Sequence, residues 1–188
     1  MRAEVAPAPA GADGPIVSTN KKSHGYSRMP EPRRRNVFLD SCAFDPKHEP
    51  EASASTEIFT ASESGRIGPL TIAHSTLKEV DHPNTPDWVK REGQAMIRSL
   101  EVSLTPPERK QQEQILNILA GNGGRDKMRQ DATHVFEASK YGSAYFITAD
   151  DRILKKRNEL ASICSAVIVR PTEFLGILAD YEATDLGK

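Results

Sequence analysis

The chain has 188 residues, 37% of them apolar and 27% charged, and a net charge of −1 from 25 Lys and Arg against 26 Asp and Glu. That length suits one domain with some extra chain, and the balance of charge excludes a dedicated basic coat for nucleic acid. No run approaches the roughly 20 apolar residues of a membrane span, no apolar leader opens the chain, and Cys42 and Cys164 form neither a disulfide framework nor a CxxC pair, so a soluble protein of the reducing cytoplasm is expected, with no membrane partner.

Residues 1–35 stand apart. They hold seven basic side chains (Arg2, Lys21, Lys22, Arg28, Arg33, Arg34, Arg35), three acids (Glu4, Asp13, Glu31) and five prolines. The segment therefore carries +4 and the remainder −5. Such composition cannot repay the entropy of ordering, so a disordered basic tail is expected. It reads as a solvated leader, or as an arm for nucleic acid phosphates or an acidic partner.

From residue 36 the rhythm becomes α/β. Asn36–Leu39 is a buried-strand run that ends at Asp40 and Ser41. A short helix is expected at about 55–64, closed by the glycines of GRIG (65–68). A second strand follows at Pro69–Ala73, leading into a helical STLKEV (75–80) that Pro83 and Pro86 break. The next helix starts near Asp87 and runs through Trp88, Ala95 and Leu100. ThrProPro at 105–107 opens another, with Ile115, Ile118 and Leu119 at helical spacing. A helix over about 126–141 stops at Gly142, a third strand covers 144–148, and a basic helix lies near 151–160. A fourth strand at 166–169 precedes a final helix opened by Pro171. Alternation of this kind predicts a parallel sheet of about four to five strands, covered on both faces.

Two acids mark one end of that sheet. Asp40 comes directly after the first strand and Asp150 just after the third. The carboxyl ends of parallel strands line the ligand crevice, so both point to one place. Glu79 lies in the helix after the second strand. Asp131 has Met128, Val135 and Ala138 at i−3, i+4 and i+7, which places it on or beside an apolar stripe. A carboxylate there loses solvation and needs compensation. Two unit charges about 4 Å apart interact by roughly 4 kcal/mol at an effective dielectric of 20. Four converging acids therefore ask for a cation, and hard oxygen donors suit Mg²⁺ or Mn²⁺. Such an ion generates hydroxide and stabilises in-line displacement at phosphorus, which predicts phosphodiester hydrolysis.

VFLDS (37–41), TLKE (76–79), DATHVFEA (131–138) and FITADD (146–151) together resemble the four signature blocks of PIN domains. These are small metal-dependent ribonucleases that include the toxins of toxin–antitoxin pairs. AVIVRPTEFL (166–175) is similar to the family's last strand and helix. The resemblance implies a three-layer α/β/α sandwich over 36–182, a C-terminal tail at 183–188, and Asp40, Glu79, Asp131 and Asp150 as catalytic, metal-binding acids. Asp40 and Asp131 would be the principal ligands. It implies Thr148 as the hydroxyl that hydrogen-bonds within the acidic cluster, Mg²⁺ or Mn²⁺ as cofactor and RNA as substrate, with an antitoxin and a homodimer as further partners. About 50 residues separate Glu79 from Asp131, so a helical insertion is expected around 84–124. SerCysAlaPhe after Asp40 also departs from the toxins, which more often carry a polar residue at Cys42 or Ala43.

The neighbouring residues have plainer readings. Ser41 is expected to cap the first helix and brace Asp40. Asp151 reads as a first-turn helix acid, Asp126 as a helix N-cap and Asp45 as a turn residue. The plain alternative for Asp131 is a salt bridge to Arg129 or Lys127, and for Glu79 a solvated helix position. His134 reads as a partly exposed helix histidine, with a contact to metal or substrate as the alternative. Cys42 and Cys164 read as small buried hydrophobes, and LysLysArg at 155–157 as a solvated face or a phosphate contact. A non-catalytic PIN-like module that binds RNA or protein is the alternative function. An aspartate-nucleophile phosphatase fails, because Cys42 stands where its second acid belongs.

Overall fold

The structure is a computed structural model that describes residues 29–44, 46–76, 79, 81–83, 85–96, 103–142 and 144–185. In chain order the elements are β1 (Val37–Leu39), α1 (Ser41–Phe44), α2 (Glu51–Glu63), β2 (Leu70–Thr71), a single 3₁₀ turn (His74–Thr76), α3 (Asp87–Met96), α4 (Pro106–Ala120), α5 (Arg125–Lys140), β3 (Tyr145–Ile147), α6 (Asp151–Leu160), β4 (Val167–Val169) and α7 (Pro171–Asp185). Four strands form one parallel sheet in the order β2-β1-β3-β4. Val37 pairs with Leu70 on one side and Tyr145 on the other, and Tyr145 pairs onward with Val167.

The period of two along each strand divides the core. Val37, Leu39, Tyr145, Ile147 and Val169 join side chains of α1, α2, α3 and α7 on one face. Phe38, Phe146 and Ile168 join those of α4, α5 and α6 on the other. The domain is thus the expected three-layer α/β/α sandwich with four parallel strands. Phe38, Phe136 and Phe146 are fully buried on one face, Tyr145 and Phe174 on the other. At about 1.5–3 kcal/mol for each large apolar side chain, these hold both helical layers to the sheet. Tyr145 and Phe174 also meet edge to face, with ring centroids 5.1 Å apart.

Local chemistry sets the helix ends. Thr105 and Glu108 form a reciprocal capping box at α4, with Pro106 in its first turn. Gly142, at φ +66°, takes the left-handed conformation that ends the turn after α5. The helix expected at 126–141 begins one residue earlier, with Gly124 at its N-cap, so Asp126 is a first-turn acid rather than the cap and pairs with Arg129 at 3.6 Å. The second strand is shorter than expected. Glu137 of α5 draws the backbone after it into the 3₁₀ turn by accepting from the N–H groups of His74 (2.6 Å) and Ser75 (3.3 Å). Leu77, Lys78, Val80 and Leu100 lie outside the described residues.

Both helices of the 84–124 stretch are part of the body. Val89 of α3 belongs to one core face, and Ile115, Leu116 and Leu119 of α4 to the other. Residues 29–35, assigned to the tail by composition, lie along the domain at the amino ends of the strands. The Pro32 carbonyl accepts from Gly68 N–H at 2.8 Å, Tyr145 donates its hydroxyl proton to the Pro30 carbonyl, and Tyr181 donates to that of Met29. Gly68 permits this crossing, because a Cβ there would fall 2.1 Å from the Arg35 carbonyl oxygen. Among the described residues no helix is long and apolar enough to cross a membrane.

Candidate acidic site at the strand ends

β1 ends at Asp40, whose N–H extends the ladder by donating to the Ile147 carbonyl at 2.9 Å. The chain then turns into α1, and Asp40 Oδ1 accepts the Ser41 N–H at 2.9 Å. The expected roles are reversed, since the acid braces the start of the helix and Ser41 supplies the backbone donor. Next door, Thr148 continues β3 by donating its N–H to the Val169 carbonyl at 3.0 Å. Its hydroxyl donates to Asp40 Oδ2 at 2.7 Å and accepts the Asp150 N–H at 3.0 Å. Thr148 thereby ties the carboxyl ends of β1 and β3 together, within the acidic cluster where the resemblance places it.

Cys42 joins the same network. Its Sγ lies 3.1 Å from Asp40 Oδ2 and 3.3 Å from Thr148 Oγ1, and accepts the Ala149 N–H at 3.3 Å. Burial, and the Asp40 charge after it, push this thiol far up, so it remains a protonated donor to the carboxylate. Cys42 is therefore a polar member of the site and not the inert hydrophobe expected, whereas Cys164 is a buried one.

His134 departs furthest from expectation. It is 1% exposed, and its Nδ1 lies 3.4 Å from Asp40 Oδ1. The other ring nitrogen, Nε2, is buried without a hydrogen-bond partner. The sequence reading failed because α5 buries a wider arc than its most apolar residues mark, being held between α4 and the sheet. The available signal was spacing, since His134 is three residues after Asp131 and shares its face. Burial would push the imidazole down, but Asp40 above all, then Glu79 and Asp131, hold it above its ordinary value. Asp40, 6% exposed, shows the reciprocal effect. Burial would raise its carboxyl, yet His134, Thr148 and Cys42 hold it below the usual range.

Asp150 is the N-cap of α6, accepting the Arg152 N–H at 2.7 Å. The Arg152 side chain folds back onto the same carboxylate, with Nε 3.1 and 3.0 Å from its two oxygens. Its Nη2 reaches Asp131 Oδ2 at 3.3 Å. Arg152, which sequence reasoning did not single out, is thus the partner of Asp131, in place of Arg129 or Lys127. Burial raises the Asp131 carboxyl, Arg152 offsets part of that, and Asp40 and Asp150 push it up again, so it stands above the usual range. Glu79 is drawn to the same helix, with Oε1 accepting from Gln130 Nε2 at 2.7 Å.

Other residues fall outside this group. Asp151 is the first-turn acid expected and pairs with Arg170. Arg157 is engaged by Glu173 and Lys156 by Glu159, which leaves Lys155 as the exposed cation of that run. Asp45 lies outside the described residues.

Hard anionic oxygens of this kind would suit a divalent cation. Glu79 Oε2 is buried without a hydrogen-bond partner, whereas Asp131 Oδ2 is engaged by the Arg152 guanidinium at 3.3 Å. The side chains are not drawn into a ligand shell, however. Among the described residues no three His, Cys, Asp or Glu side chains converge closely enough to hold a metal ion. The positive charge between Asp131 and Asp150 is instead the Arg152 guanidinium. Compared with protein-family models and with curated proteins, the chain gives no match.

Proposed function

We propose that this protein is a Mg²⁺- or Mn²⁺-dependent endoribonuclease of the PIN-domain type. The observation that carries the reading is the meeting of acids from separate elements at the carboxyl ends of β1 and β3, with Asp131 beside them and an orphaned oxygen on Glu79. Asp40, Asp131, Asp150 and Glu79 are the residues that would hold the ion. When bound, the ion supplies charge neutralisation and an acidified water for attack at phosphorus. Thr148 and Cys42 fix the rotamer of Asp40 and keep its carboxylate charged. Arg152 balances Asp131 and Asp150 and is 59% exposed at its side chain, so it can move to a phosphate of the substrate.

The test is cleavage of a labelled mixed-sequence RNA by the full chain in Mn²⁺, in Mg²⁺ and in chelator, beside Asp131→Asn. Cutting is expected with either ion, and is expected to vanish in chelator and in the variant. Equal cutting in chelator would sink the proposal. The Arg152 clamp favours a second reading, a non-catalytic module whose acids are permanently neutralised. RNA binding that persists in chelator, with no cleavage under either metal, would select it.

A further inference from the structure

We propose that Trp88 is a stacking platform for an unpaired RNA base, placed at the rim of the acidic site. The inference deepens the ribonuclease reading above and rests on it for the class of polymer. Its first support is the ring itself. Trp88 is the chain's one tryptophan and is 42% exposed. Among the described residues the other exposed large hydrophobic is Met29, at the opposite end of the strands. Val89 and Gly93 form the buried face of α3, and Trp88 stands off it. Phe44 braces the indole, with ring centroids 6.2 Å apart and planes tilted by 33°. Phe44 is itself buried and meets Phe59 edge to face at 5.0 Å, so the brace is fixed. A braced aromatic ring with much of its surface open suits a base, because every base has a π-face.

Place and charge supply the rest. The single turn of α1, about 6 Å long, joins Asp40 to Phe44. Trp88 therefore lies a few nucleotides from the acids, at about 3.4 Å for each stacked nucleotide. Those acids are answered from within, Asp40 by His134 at 3.4 Å and Asp131 by Arg152 at 3.3 Å. Lys155 follows Arg152 by three residues on α6, and Lys127 precedes Asp131 by four on α5. Each lysine thus stands one turn from the site on its own helix. Both are exposed, and among the described residues neither has an ion pair. Uncompensated cations beside an open ring are the means by which proteins hold single-stranded nucleic acid, phosphates on the cations and a base on the ring. A duplex keeps its base faces in its own stack, and an acidic protein segment has none, so either engages the lysines alone.

The sole tryptophan reports the contact directly through its emission. The experiment is titration of the full chain, in chelator to prevent cutting, with a single-stranded oligoribonucleotide, with its duplex and with polyglutamate. The single strand is expected to quench the emission, and the other two to leave it unchanged. By anisotropy of a labelled strand, Trp88→Ala is expected to bind at least about fivefold more weakly, and Trp88→Phe, which keeps a ring, within about threefold of wild type. Lys127→Gln with Lys155→Gln is expected to keep the quenching and to flatten the salt dependence by about 0.7 in log–log slope for each lysine. Single-strand binding with unchanged emission, or with equal affinity in Trp88→Ala, would overturn the platform and leave metal-dependent cleavage to its own test. Absence of binding, or equal quenching by the duplex or by polyglutamate, would overturn it too. Quenching by the single strand without cleavage under either metal would uphold the platform and select the non-catalytic reading.

Discussion

Thr148 is the residue whose removal has the most calculable effect. It is fully buried, and its one hydroxyl serves three partners, the Asp40 carboxylate at 2.7 Å, the Asp150 N–H at 3.0 Å and, more weakly, Cys42 Sγ at 3.3 Å. Thr148→Val keeps the shape and deletes all three contacts, of which the first two dominate. A hydrogen bond to a charged acceptor contributes about 1.5–3 kcal/mol, and the stranded, part-buried N–H adds about 1 kcal/mol. The expected loss is therefore about 3 kcal/mol. Thr148→Ser keeps the hydroxyl and loses one methyl, which costs about 1 kcal/mol. In a chain of this length 1 kcal/mol moves Tm by about 2–4 °C, so valine should lower Tm by roughly 6–12 °C and serine by roughly 2–4 °C. The two variants should also differ in acid. Asp40 is held below its ordinary value, so its stabilisation is present above the unfolded pKa and is lost as pH falls through the folded one. Valine removes one of the groups that depress it, so the acid-unfolding midpoint should move up in Thr148→Val and stay near wild type in Thr148→Ser. Urea unfolding across pH reads both effects. Equal losses in the two variants, or an unchanged midpoint in valine, would refute the latch.

Three further outcomes follow from the structure. Gly68→Ala should cost about 3 kcal/mol or more in urea unfolding, because its Cβ would meet the Arg35 backbone at 2.1 Å and backbone cannot rotate away; a loss below about 1 kcal/mol would mean that residues 29–35 do not cross there. Glu173 accepts from Arg157 and from the Arg170 N–H, which outweigh burial and hold its carboxyl below the usual range. Its contribution is thus present near neutral pH and lost as pH falls through that depressed value. Glu173→Gln should lose about 1 kcal/mol near neutrality, discounted for exposure, and the gap from wild type should close in acid. Arg152→Gln should lower stability by about 1 kcal/mol without metal, because Asp131 and Asp150 lose their cation. Added Mn²⁺ should then raise Tm more in this variant than in wild type, since no guanidinium has to leave; an equal rise in both would argue against the pocket as the ion's site.

What the sequence made legible was whatever depends on period and position. The strand runs at 36–39, 144–148 and 166–169 contain β1, β3 and β4, because a buried parallel strand is a short apolar run with a polar stop. Asp40 and Asp150 were readable because a carboxylate at such a stop lies at the sheet's carboxyl edge. Asp131 was readable from its place beside an apolar stripe. What escaped depends on side chains that fold back or meet across the chain. Arg152 reaches Asp150 only because that residue caps α6 and leaves its carboxylate turned toward the first turn. Cys42 joins the network because α1 begins at once after Asp40 and brings Sγ beside Thr148, more than a hundred residues away. His134 was misjudged because the burial of a helix face is decided by its neighbours, here α4, and not by its own pattern.

The order of strands has a kinetic consequence. β3 and β4 pair at a separation of 22 residues, Tyr145 to Val167, whereas β1 and β3 pair at 108, Val37 to Tyr145. By loop-closure entropy the second pairing costs about 1.4 kcal/mol more than the first. Nucleation is thus favoured in the carboxyl-terminal βαβ unit, with β1 docking afterwards. The Thr148–Asp40 bond spans that late junction, so the pocket assembles with the last large closure of the chain. Any partly folded state that contains only β3, α6 and β4 would hold Asp150 and Arg152 together, yet would have no Asp40 to complete the site.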